Sequence, residues 1–173
     1  MKKGLFVLAM LFLAINSYGQ VSWDAYEIGK QKYDKGDLKG AIKDFTRAIE
    51  MENPTSKTAL KNYYKFRGMT KTRLEDHRGA IEDFTKAIFA DPNEVDLIYA
   101  LRGFSKNAIK DYFSAILDFS EAIKLNSKEG LYYAGRGIAR LGNNQKSDGC
   151  LDFSKAGELG YEPAYESIKE FCN

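Results

Sequence analysis

The decamer AIKDFTRAIE, beginning at Ala41, returns as AIEDFTKAIF from Ala80 and as AILDFSEAIK from Ala115. A blurred fourth copy, GCLDFSKAGE, starts at Gly149. This repetition is the strongest constraint on the fold, because each copy must meet the same surroundings. A catalytic constellation is written once for one site; a stretch written four times is a building unit. The register extends past the decamer. Its phenylalanines, Phe45, Phe84, Phe119 and Phe153, are spaced by 39, 35 and 34 residues, and Ala48, Ala87, Ala122 and Ala156 follow three positions on. Twelve residues before each copy stands a glycine: Gly29, Gly68, Gly103 and Gly137.

Ala41, Phe45 and Ala48 fall at i, i+4 and i+7 and so share one helical face. The small Ala and Gly positions let two antiparallel helices approach closely, and the phenylalanine fills the space they leave. Turn signals interrupt each copy at Lys35-Gly36-Asp37, Leu74-Glu75-Asp76, Lys110-Asp111 and Gly142-Asn143-Asn144. Asn53-Pro54 and Asp91-Pro92 punctuate the ends of the first two units. The first junction carries about five extra residues in NPTSKTALK, expected as a lengthened loop or helix start.

A period near 34 with this Gly…Ala…Phe…Ala skeleton resembles the tetratricopeptide repeat (TPR) family, over roughly residues 22 to 160. The resemblance implies an all-α fold, a right-handed superhelix of stacked helix–turn–helix units. The repeats are read as about 22–53, 58–92, 96–128 and 130–160. After Gly160 comes YEPAYESIKEFCN, in which Pro163 suits a first helical turn and Tyr165, Ile168, Phe171 and Cys172 form an apolar stripe. A stacked array needs its last open face covered, so residues 162–172 are expected as a capping helix.

The N-terminus reads differently. Lys2 and Lys3 precede an apolar run from Leu5 to Ile15, and Ser17 and Gly19 supply small residues before Gln20. Residues 1–19 are expected to be a cleaved secretory signal, too short to span a bilayer comfortably. One TPR domain would then occupy residues 20–173, exported to the periplasm or secreted, with membrane contact only if the signal stays uncleaved. Losing the two lysines leaves 24 basic and 24 acidic residues. That balance gives no global electrostatic case for nucleic acid or an anionic membrane. The two cysteines, Cys150 and Cys172, suit one disulfide in an exported protein or two buried thiols. A bridge would tie the cap to the preceding helix.

Several positions depart from the family pattern. Its usual Trp is Ala25, Tyr64, Tyr99 and Tyr133, and the Leu before the glycine is Ile28, then Arg67, Arg102 and Arg136. The later Tyr position is basic throughout, as Lys32, Lys71, Lys106 and Arg140, and each phenylalanine follows an Asp: Asp44, Asp83, Asp118 and Asp152. Unit 1 lacks both the Arg and a preceding unit. The structural reading therefore pairs each Asp with the next unit's Arg, as Asp44–Arg67, Asp83–Arg102 and Asp118–Arg136. The competing reading makes the basic residues a strip for an acidic ligand.

In the resembled family the first helix of each unit lines a concave groove that takes a protein or peptide. The matching positions here are Trp23, Tyr26, Lys30 and Tyr33, then Asn62, Lys65, Met69 and Thr72, then Leu97, Ala100, Phe104 and Asn107. Leu131, Ala134, Ile138 and Leu141 follow in unit 4, partly beneath the cap. Lys30, Asn62 and Lys65 make a partial version of the Asn-and-Lys clamp with which some members hold a carboxylate. Enzyme signals are thin. The one histidine, His77, falls in a turn, and no metal-ligand spacing, phosphate loop or nucleophile elbow occurs. The expectation is a binding scaffold without catalysis, cofactor or metal. The alternative is a structural subunit of a larger cell-envelope assembly.

Overall fold

The computed structural model describes residues 19–172. Within it the chain is an all-α solenoid: α1 (residues 19–34), α2 (Leu38–Met51), α3 (Lys57–Arg73), α4 (His77–Ala90), α5 (Asp96–Ala108), α6 (Tyr112–Leu125), α7 (Gly130–Gly142), α8 (Lys146–Glu158) and α9 (Pro163–Phe171). Each unit is an odd helix followed by an even one, and α9 packs on α8 as the expected cap. The expected signal over residues 1–19 lies outside the described residues except for Gly19, which is helical and accepts a hydrogen bond from Ser22.

The core is one contact repeated four times. Phe45, Phe84, Phe119 and Phe153 are all fully buried, and each lays its ring on the glycine of its own unit's first helix. A Cβ at Gly29, Gly68 or Gly137 would stand 2.8 Å from that ring, and one at Gly103 would stand 3.0 Å away. No side chain fits there, so the spacing of each helix pair is set by a ring on bare backbone. Gly135 repeats the device between units, pressed against Phe119 of the unit before.

The turn within each unit places one residue in the left-handed region: Gly36, Glu75, Lys110 and Asn144 in succession. An Asp then caps the second helix in three units. Asp37, Asp76 and Asp111 accept from the backbone N–H of Gly40, Gly79 and Ser114 at 2.9, 3.0 and 3.3 Å. Unit 4 has Gln145 there and makes no side-chain cap. The extra residues of the first junction serve both expected purposes: part becomes the loop at 52–56, and part lengthens α3 to 17 residues, against 13 in α5 and α7. Cys150 and Cys172 are bonded to each other, clipping the end of α9 to α8.

Unit 1 fills the left-handed position with glycine, whereas Lys110 holds a φ of 63°. Lys110→Gly should relieve that strain and raise unfolding stability by about 1 kcal/mol. Thermal and urea denaturation followed by circular dichroism measure it; an unchanged or lower midpoint contradicts it.

Candidate peptide-binding face

The basic ladder does not meet the acids expected of it. Arg67 grips Asp83 of its own unit, with Nε to Oδ2 at 2.9 Å and Nη2 to Oδ1 at 2.7 Å. Arg102 holds Asp118 and Arg136 holds Asp152 in the same two-pronged way. The pairs Asp44–Arg67, Asp83–Arg102 and Asp118–Arg136 are therefore replaced, because the residue before the phenylalanine faces back toward its own unit's first helix. The residue after it lies about 200° further round, and that one faces the next unit. There the free prong of each guanidinium lands: Nη1 donates to Thr46, Thr85 and Ser120 at 2.9, 3.0 and 3.2 Å.

Each Arg thus binds three things. Its plane lies over Tyr64, Tyr99 or Tyr133 at 5.6, 5.4 and 5.6 Å, its fork holds the Asp, and its remaining nitrogen reaches the unit before. Lys71, Lys106 and Arg140 close the other side of the same carboxylates at 2.8, 2.8 and 2.7 Å. For Arg67, burial works against the charged form, but the Asp83 hydrogen bonds and charge outweigh it and raise the pKa. Unit 1 has Lys32 on Asp44, at 2.6 Å, and an exposed Ile28 at the Arg position. The ladder is internal, so it offers no strip to an acidic ligand.

A second seam, at the unit ends, was not foreseen. Ser22 and Tyr63 both donate to Glu52, at 2.7 and 3.0 Å, and Tyr132 donates to Asp96 at 2.9 Å. Burial and then the Asp96 hydrogen bond push the Tyr132 hydroxyl well above its ordinary pKa. In unit 2 the same level holds a buried ion pair, Lys61 to Asp91 at 3.2 Å, with Lys61 also donating to the Asn93 carbonyl at 2.7 Å. Asp91 accepts from the Asn93 backbone and side chain and from Thr58 as well. The sign that could have exposed this seam is the varied residue seven before each glycine: Ser22, Lys61, Asp96 and Gly130.

Along the first-helix face the expected groove residues divide. Tyr26 is not on the surface. It is only 6% exposed, ringed by Phe45, Tyr63 and Phe66 at 5.9, 4.9 and 5.5 Å, and its hydroxyl is pushed up to about 12, chiefly by burial and then by Glu27 and Tyr63. It belongs to the unit 1 core together with Ala25. Ala100 and Ala134 are likewise buried. Trp23, 49% exposed, packs on Tyr26 at 5.4 Å and keeps much of its ring free. Tyr33 is half-buried beneath the Arg73 guanidinium, 4.6 Å from its ring. Met69 joins the unit 2 core, Phe104 lies edge-on to Phe119 at 4.9 Å, and Leu97 is exposed. Asn107 donates to the Gly135 carbonyl at 3.2 Å, while its buried Oδ1 has no partner.

Two cations are brought together. Lys30 and Lys65 place their ammoniums 6.0 and 5.3 Å from the centre of the Phe66 ring, a residue sequence reasoning missed. Lys30 also meets Glu27 at 3.2 Å. Burial, and then the charge of Lys61, lower the Lys65 pKa, so a carboxylate arriving there meets a cation short of counter-charge. Asn62 and Thr72 are half-buried on the same helix. His77 starts α4 with its Nδ1 unpartnered. Among the described residues no cluster of His, Cys, Asp or Glu could hold a metal, and no helix is long and apolar enough to cross a membrane.

This architecture is the tetratricopeptide-repeat fold, and solved structures agree. MamA from Desulfovibrio magneticus RS-1, residues 41 to the end, superposes with a TM-score of 0.73 at 20% identity, over 82% of this chain and 77% of that one. The second TPR domain of human RPAP3, solved with the HSP70 peptide SGPTIEEVD, gives 0.62 at 25% identity over 70% of this chain and 99% of that one. The Arabidopsis OM64 TPR domain gives 0.64 at 23% identity, over 72% and 98%. No protein-family model and no curated protein matches the sequence.

Two outcomes follow from the seams. Arg102→Leu should cost about 3 kcal/mol of stability, because it strips a buried Asp118 of its fork, whereas Thr85→Val should cost about 1 kcal/mol. Urea unfolding of both variants tests the order, and equal losses would show that the fork to Asp118 adds nothing. The second outcome concerns acid. The backbone N–H of Asn93, then Thr58, with a smaller share from Lys61, hold the Asp91 carboxyl below its ordinary value of 3.8. A depressed folded-state pKa contributes stability above the unfolded value and loses it as pH falls beneath. Asp91→Asn should therefore flatten the decline in stability below about pH 4, measured as melting temperature against pH.

Proposed function

We propose that the chain is an exported scaffold that captures a protein or peptide segment on the face formed by α1, α3 and α5. The observation that carries this reading is the exposed Trp23 on α1, packed on Tyr26, together with two ammoniums, Lys30 and Lys65, gathered over Phe66. An aromatic anchor next to an undersatisfied cation suits a segment bearing acidic side chains. The acidic HSP70 peptide bound by the RPAP3 domain supports that choice of ligand. Export rests on the Lys2-Lys3 start and the Leu5–Ile15 run.

The second reading, a subunit of a larger assembly, has its own support. Phe113 and Leu117 on α6 and Leu151 on α8 are exposed, where units 1 and 2 carry Lys39, Lys43, Arg78 and Glu82. Affinity capture from a native envelope fraction separates the two. Replacing Trp23 with Ala and Lys30 and Lys65 with Glu should cut recovery of specific partners roughly tenfold. Phe113→Ser with Leu151→Ser should leave it intact. The reverse pattern would move the function to the second-helix surface.

A further inference from the structure

We propose a second binding site, distinct from the Trp23, Lys30 and Lys65 cluster, that takes an acidic peptide segment carrying one large apolar side chain. It is a cleft of about 660 Å³ lined by Pro54, Lys57, Leu60, Tyr64, Lys86 and Phe89, with Thr85 and Ala90 completing its wall. The volume and apolar walls are those of a ligand pocket, with few polar groups for orientation.

The cleft comes from what is not repeated. The added turn of α3 contributes Lys57 and Leu60, and α5 and α7 have no such turn. At the position of Phe89 the other units carry Glu50, Lys124 and Glu158. Tyr64 gives one wall its ring and Leu60 and Pro54 another, a combination confined to this junction. Phe89 is 91% exposed on the rim, so only an occupant extending past the cleft can cover it. An extended segment does so; a small acid seated inside would not.

Charge selects the segment's chemistry. Lys86 lies over the Tyr64 ring at 5.9 Å, and neither it nor Lys57 meets a carboxylate among the described residues. The Tyr64 hydroxyl adds a third group able to donate. Donors without acids around an apolar hollow match an apolar side chain with Asp or Glu beside it.

The test uses the full chain and fluorescein-labelled decapeptides holding a single Phe, Leu or Trp between glutamates. Matched peptides carry Ala at the centre or lysines at the flanks, and binding is read by fluorescence anisotropy. The acidic peptides with an apolar centre should bind at least about tenfold more tightly than either control. Phe89→Ala, or Lys57→Glu with Lys86→Glu, should weaken them by a similar factor, and should do so equally in a chain already carrying Lys30→Ala with Lys65→Ala, where the first-helix face no longer competes for acidic peptide. These side chains sit at the surface of the helices, and circular dichroism of each variant confirms the fold. Equal binding of the control peptides would overturn the proposal, as would binding indifferent to the cleft variants. Loss confined to the Lys30 and Lys65 variant would overturn it too, while leaving the first-helix face intact as a binding surface.

Discussion

A phenylalanine ring resting on a glycine Cα holds this molecule together. Four times it sets the distance between the two helices of a unit, and everything else takes its position from that distance. Only at this separation does the Asp beside the ring come within reach of the Arg and Lys one turn apart on the facing helix. Only then does the hydroxyl on the ring's other side meet the neighbouring unit. Packing therefore precedes electrostatics here: the ion pairs are half-sheltered and well aligned because an apolar contact has already fixed the geometry.

Much of this was legible in the sequence, and for a physical reason. Four copies of one environment average away the accidents of any single helix, so the register, the turns, the cap and the extra length at the first junction could all be read. The Arg partners could not be assigned correctly from the count of copies alone. Unit 1's missing Arg pointed to a link across the seam, and the link exists, but its acceptor is Thr46 rather than Asp44. The hydroxyl after every phenylalanine was the overlooked sign. Two residues apart on a helix means opposite sides, and that distinction decides which neighbour each one meets.

The candidate sites were less legible because they lie where the copies disagree. Tyr26 looked like a groove residue by register, yet its ring is buried among Phe45, Tyr63 and Phe66. Phe66 and Phe89 have no aromatic counterpart in the other units, so no repeat pattern drew attention to them. Their meaning depends on which side chains the fold gathers around them. Repetition describes the frame, and singular residues describe what the frame presents.

The guanidinium-to-hydroxyl link also gives the stack a direction. Every join needs an Arg from the later unit and a hydroxyl from the earlier one. In unit 1 the Arg position holds Ile28, and in unit 4 the matching hydroxyl, Ser154, is exposed and donates to the Cys150 carbonyl of its own helix, as Thr85 and Ser120 do to theirs. The same chemistry that joins units within the chain thus fixes which face of one unit can follow which face of the next.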